Sequence, residues 1–150
     1  MKRTTIPMAA AAAVFASTAL AQSVSKEVKA RQGQFQIVAM NLGVLGNMAR
    51  DNLDYDAEAA QKAANSLLGV SMIDPALLWV EGTDNGSIVG TRALPAIWEN
   101  NAAFLDRWGA FAAAAAAMAE AAGGGKEAIG AAMGQIGGTC KACHDGFRAP

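Results

Sequence analysis

Apolar side chains return along this chain at the spacing of a helix. Val24, Val28, Arg31, Phe35, Val38, Leu42 and Leu45 stand alternately four and three residues apart, and only one of them is charged. Leu53, Ala57, Ala60, Ala64 and Leu67 repeat the alternation, as do Ile97, Asn101, Phe104, Trp108, Phe111, Ala115 and Met118. A fourth stripe runs through Ile129, Met133, Ile136, Cys140, Cys143 and Phe147. Such steps hold side chains on one face of an α-helix, and that face must be buried against other helices. Four stripes in one small domain predict an all-α fold, an antiparallel up-down-up-down four-helix bundle.

The interruptions carry matching boundary signals. Asp54 or Asp56 is placed to cap the second helix, accepting from first-turn amides that lack a partner. Pro95 suits the first turn of the third helix, where no amide donor is needed. Gly123-Gly124-Gly125 ends the third helix and opens the fourth. Between the second and third runs a long irregular crossover, DPALLWVEGTDNGSIVGTRAL, with turn chemistry at TDNGS. A segment of that length without periodic structure is expected to cover something. The fourth helix contains Gly130, Gly134, Gly137 and Gly138. Each costs about 1 kcal/mol relative to alanine, so their presence predicts close approach by a ring or a neighbouring helix.

The start of the chain changes the compartment. MKRTTIPMAAAAAVFASTALAQS has two basic residues, an apolar middle and a small-residue end. Ala19-Leu20-Ala21 fits the cleavage rule of a secretion signal over residues 1–21, which leaves 22–150 as one exported domain. The apolar stretch is too short to serve well as an anchor. Without the signal, 12 − 2 = 10 basic residues stand against 13 acidic ones, a net charge of −3. Charges of both signs are interspersed with no basic run, which excludes nucleic acid as the expected partner. Abundant alanine and few β-branched residues agree with a helical chain.

All soft ligand chemistry is concentrated near the end. Cys140 and Cys143 are the only two cysteines, and His144 is the only histidine. Two thiols one helical turn apart can each add to a vinyl group of one haem, with the next residue offering imidazole to the iron. This is the chemistry behind C-x-x-C-H as a c-type haem attachment site. Structural zinc needs four ligands and finds too few. A thioredoxin-like pair normally follows a strand, and no strand is evident. A plain disulfide is the remaining alternative for an exported protein.

The iron's other face has no evident ligand. Met133 precedes His144 on the same helix by eleven residues, about 16 Å along the axis, and cannot reach round. Met118 reads as core filler, and Met40, Met48 and Met72 lie off the stripes. Arg31 occupies a stripe position, where a charge either reaches solvent or needs a partner. A haem propionate would suit its guanidinium. Phe35, one turn on, packs in the core, over the open side of the iron, or both. The pocket beside it is expected to be apolar, without a donor for bound oxygen.

Taken together, CKACHDGFR, VKARQGQF and PAIW resemble cytochrome c′, the high-spin class II cytochromes c, across essentially the whole mature chain. Cytochrome c′ is itself a standard example of the up-down-up-down bundle, so the stripe count and the resemblance meet in one architecture. The resemblance implies one haem c on Cys140 and Cys143, with His144 as iron ligand. It also implies that Arg31 and Gln32 lie near the propionates, that Arg148 lies beside the histidine, and that Phe35 lines the distal pocket. Low-spin relatives such as cytochrome c556 have a methionine ligand at a position similar to that of Phe35, and the commoner high-spin residue there is leucine. A five-coordinate iron is therefore expected. Family members are typically periplasmic homodimers that bind nitric oxide and carbon monoxide and exchange electrons. Ile37, Met40 and Val44 would suit helix-to-helix dimer contact or a second row of core positions. Gas binding is the leading expectation and electron transfer with a periplasmic redox partner the alternative. Enzymatic use, such as a peroxidase, is disfavoured because no distal acid–base residue is evident.

Overall fold

The computed structural model describes residues 24–150. The predicted export signal over 1–21 lies outside the described residues. Helix α1 spans Lys26–Ala49, α2 Ala57–Ser71, α3 Ala96–Glu99, α4 Asn101–Ala121 and α5 Lys126–Phe147. α3 is a single turn, and the four long helices form the bundle. α1 packs on α2 and α5, and α4 packs on the same two. Among the described residues there is no strand, only an isolated antiparallel bridge between Ala93 and Arg148.

Boundaries follow local chemistry. Ser25 Oγ accepts from Val28 N at 3.3 Å and caps α1. Asp56, not Asp54, caps α2 by accepting from Ala59 N at 2.8 Å. Gly125 joins α4 to α5 at φ 95°, a conformation that a side chain rarely adopts. Tyr55 stitches this junction, donating to Ala122 O at 3.0 Å and accepting from Gly125 N at 3.2 Å.

The stripes make the main core. Val38, Leu45, Ala60, Ala64, Leu67, Ala115, Met118, Ile129 and Ile136 are buried together with Met48. Met48 lies off the counted stripe, but three positions after Leu45 it shares the broader face that a bundle helix buries. Full burial of a leucine such as Leu45 or Leu67 contributes about 1.5–3 kcal/mol.

Three expectations need correction. Leu53 and Ala57 are exposed, because α2 starts only after Asp56 and its buried face starts at Ala60. The third stripe is not one continuous helix. Asn100 breaks it at φ −129° and ψ 56°, so the count across the break fails and Asn101 is exposed. Of Gly130, Gly134, Gly137 and Gly138 in α5, only Gly130 approaches a neighbouring helix, with Ala49 Cβ of α1 4.0 Å from a Cβ built there; no protein atom lies within 4 Å of one built at the other three. On α1, Val44 packs against the core, whereas Ile37 and Met40 are 48% and 72% exposed.

The crossover is ordered by its own turns. Asp84 accepts from Gly86 N at 2.8 Å, Ser87 N at 3.0 Å and Ser87 Oγ at 2.6 Å. These bonds, the Ser87 hydroxyl first, hold its carboxyl below the usual range. Gly90 packs against the residues just before α1 at φ 84°, where an added Cβ would meet Val24 Cγ2 at 2.8 Å. The last crossover residues then pair with the chain's end: Leu94 N donates to Phe147 O at 3.0 Å and Ala149 N to Arg92 O at 2.8 Å.

Candidate haem-binding site

A second, smaller apolar cluster gathers Ala93, Ile97, Phe104 and Phe147, with Trp79, Trp98 and Cys143 against it. Between it and the main core opens a cavity of about 510 Å³, within the range of small-molecule and cofactor pockets. The crossover supplies one wall, so the long loop does cover something. Trp79, Thr91 and Ala93 come from it, Phe35 and Leu42 from α1, and Phe104 and Trp108 from α4.

Cys140, Cys143 and His144 lie on the last turns of α5 and all line the cavity. Both cysteines are half-buried and free, so the disulfide alternative is not formed. Burial raises both thiols. At Cys143 the neighbouring Cys140 adds to the rise, and Arg107 opposes it. His144 is pushed below its ordinary value, first by burial and then by the Arg148 and Arg92 guanidiniums, with Asp145 acting the other way. A neutral imidazole keeps a lone pair for a metal. Among the described residues no cluster of three histidine, cysteine or acidic side chains is arranged to hold a metal ion by itself.

Arg31 is buried, at 3% exposure, and is satisfied within the protein. Its Nη1 donates to Thr83 Oγ1 at 2.8 Å and Leu78 O at 3.4 Å. Its Nη2 donates to Thr83 O at 2.6 Å and Thr91 Oγ1 at 2.9 Å. The guanidinium also sits 4.5 Å from the Trp79 ring centroid. Burial lowers its pKa, and no carboxylate pairs with it. The stripe position thus marks a tether between α1 and the crossover. Gln32 adds a second, Nε2 donating to Gly90 O at 2.6 Å. Arg31 and Gln32 both still line the cavity.

Phe35 is 40% exposed, yet it lies on an inward stripe and lines the cavity. Its ring meets Trp79 and Trp108 edge-on, each with centroids 6.3 Å apart. The indole Nε1 atoms of these two tryptophans are buried without an acceptor among the described residues. An orphaned buried donor costs about 1–3 kcal/mol. The wall is therefore not free of donors, as the sequence had suggested. No methionine among the described residues lines the cavity.

Sequence reasoning missed Trp79, Arg92, Arg107 and Trp108 as site residues. Arg107 and Trp108 follow Phe104 by three and four positions, so a wider α4 face would have found them. Arg92 reaches Arg148 only through the terminal pairing, 56 residues away in sequence, and had no local signal.

These features fit a flat apolar macrocycle with a charged edge. They offer aromatic walls, two free thiols and an imidazole on one helical stretch, two unsatisfied indole donors, and arginines at the rim. The family model for cytochrome c′ matches residues 26–148. The chain belongs to the cytochrome c′ family. A cytochrome c′ from Cereibacter sphaeroides is 40% identical over 136 residues, 91% of each chain. The solved cytochrome c′ of Rhodobacter sphaeroides is 42% identical with a TM-score of 0.79, covering 82% of this chain and 95% of its own. Variants of Alcaligenes xylosoxidans cytochrome c′, 30% identical with TM-scores of 0.72, have been solved as a nitric oxide complex and with carbon monoxide bound. Each covers 83% of this chain and 94% of its own. The cofactor of the cytochrome c′ chain described here is haem c, consistent with its two cysteines.

Proposed function

We propose that this chain is a periplasmic haem c protein with five-coordinate iron that binds nitric oxide and carbon monoxide. Cys140 and Cys143 would hold the haem through thioether bonds to its two vinyl groups. His144 would supply the one protein nitrogen to its iron. Arg31, Gln32 and Arg148 contribute positive charge or donors toward the propionates and the imidazole. When bound, the haem supplies an iron able to take a diatomic ligand.

The observation that carries this reading is the aromatic set on the α1 and α4 walls. Phe35 is held between Trp79 and Trp108, and the family resemblance implies a methionine ligand at the similar position of low-spin relatives. A phenyl ring cannot ligate iron, and it excludes water from the position beside it. The known nitric oxide and carbon monoxide complexes of relatives support the same ligands here. Export rests on the signal-like residues 1–21; no helix among the described residues is long and apolar enough to cross a membrane. The exposed pair Ile37 and Met40 supports a homodimer through α1.

Titrating the reduced protein with carbon monoxide and nitric oxide tests the proposal. Both should bind stoichiometrically and change the haem spectrum. A ferrous protein indifferent to both gases would refute it.

A further inference from the structure

Trp98 does not line the cavity, yet it is bonded to a residue that does: its Nε1 donates to Trp79 O at 2.9 Å. Trp98 sits on α3, the single turn that Asn100 separates from α4 at φ −129° and ψ 56°. The ring of Trp79 is held from two further sides. Buried Phe104 of α4 meets it edge-on with centroids 5.0 Å apart, and the Arg31 guanidinium of α1 lies 4.5 Å from its centroid. Arg31 also bonds Leu78 O and Thr83, which flank Trp79 in the chain. One crossover indole is thus fixed from α1, α3 and α4.

Phe35 is gripped less tightly. Both of its aromatic contacts have centroids 6.3 Å apart, near the long end of the 4.5–7 Å range of ring pairs. The two walls differ in kind. Trp108 is buried in the main core of the bundle, whereas Trp79 is carried by the crossover, so the freedom of the Phe35 ring depends on how firmly Trp79 is held. We propose that Trp98 is a positioning residue for gas entry: through Trp79 O it fixes the indole that keeps the Phe35 ring in place. This rests on the haem and the open position beside Phe35 proposed above. The broken start of the third helix then has a use, since it sets Trp98 against the crossover.

Trp98→Phe keeps an aromatic ring and removes the N–H. Carbon monoxide association with the ferrous protein, read by flash photolysis, should rise about two- to tenfold, the factor that one edge-to-face contact can supply. Phe35→Ala already removes the ring, so adding Trp98→Phe to it should leave the rate unchanged. A second readout needs no gas. In ferrous protein labelled with 3-fluorophenylalanine, fluorine NMR reads exchange of the Phe35 ring between its two orientations, with Phe35→Ala giving the assignment. Trp98→Phe should quicken that exchange. Trp79→Phe trims the wall itself and should quicken both rates, which decides the matter if Trp98→Phe does not fold. An unchanged association rate or an unchanged ring exchange in Trp98→Phe overturns the proposal. So does an increase that persists in full when Phe35 is alanine. Failure of the gas-binding reading appears separately, as a low-spin ferrous spectrum that carbon monoxide leaves unchanged, while the ring exchange still reports on Trp98.

Discussion

Replacing Arg31 by leucine removes the larger of two tethers between α1 and the crossover and leaves only that of Gln32. Three of the Arg31 bonds are short, at 2.6, 2.8 and 2.9 Å to Thr83 O, Thr83 Oγ1 and Thr91 Oγ1. Hydrogen bonds from a charged group contribute about 1.5–3 kcal/mol each, a gross of about 5–9 kcal/mol. Contact with Trp79 adds about 1 kcal/mol. Against this stands desolvation of a cation with no carboxylate partner, a cost of several kcal/mol that the substitution relieves. The balance is a loss of about 2–4 kcal/mol, because the loop oxygens then face an apolar side chain. With a urea slope of about 1–3 kcal/mol per molar, the midpoint should fall by roughly 1–2 M. Urea unfolding of the holoprotein, followed by circular dichroism, reads this directly. Arg31→Lys should recover only part of the loss, since one ammonium cannot reach all three oxygens. Loss of a cation near the haem should also lower the reduction potential. A stability change below about 0.5 kcal/mol would refute the tether, and an unchanged potential at low and high pH would refute a propionate role.

Other substitutions probe the remaining parts. Cys140→Ala with Cys143→Ala should yield a protein whose haem is extracted by acidified organic solvent, whereas the wild-type haem is retained; extraction from wild type would refute covalent attachment. Phe35→Ala should speed carbon monoxide association, and Phe35→Met should move the spectrum toward low spin and slow gas binding, both read by flash photolysis. Gly134→Ala meets no atom within 4 Å, so thermal unfolding should show a gain of up to about 1 kcal/mol. Asp84 is held below the usual carboxyl range, so its stabilisation is complete above its unfolded pKa and is lost as pH falls through the folded one. Asp84→Asn should accordingly flatten the acid limb of a stability-against-pH curve.

Much of the bundle was legible because periodic burial is local. The stripes on α1 and α5 run almost unbroken, and Asp56 and Gly125 act at boundaries the sequence marks. Leu53 and Asn101 misled because a count of fours and threes continues across a break that only backbone geometry reveals. The attachment turn was legible because Cys140, Cys143 and His144 are neighbours in sequence. What holds the cavity's other walls was not. Thr83 and Thr91 meet Arg31 across 52 and 60 residues, and Arg92 meets the chain's end through paired backbone. The loop partners of Arg31 were illegible for the same reason: a buried cation demands partners, and sequence does not say that neutral loop oxygens supply them. Trp79 lay in a segment without periodicity, where an aromatic gives no sign of its facing.

The central claim is an iron with one protein ligand and one open position. The absorption spectrum of the purified ferrous protein, recorded before and after carbon monoxide, tests it most directly. A five-coordinate high-spin spectrum that converts to a six-coordinate low-spin one on adding the gas is predicted. A low-spin spectrum from the start, unchanged by carbon monoxide, would mean that an internal ligand fills the position beside Phe35 and would contradict the account.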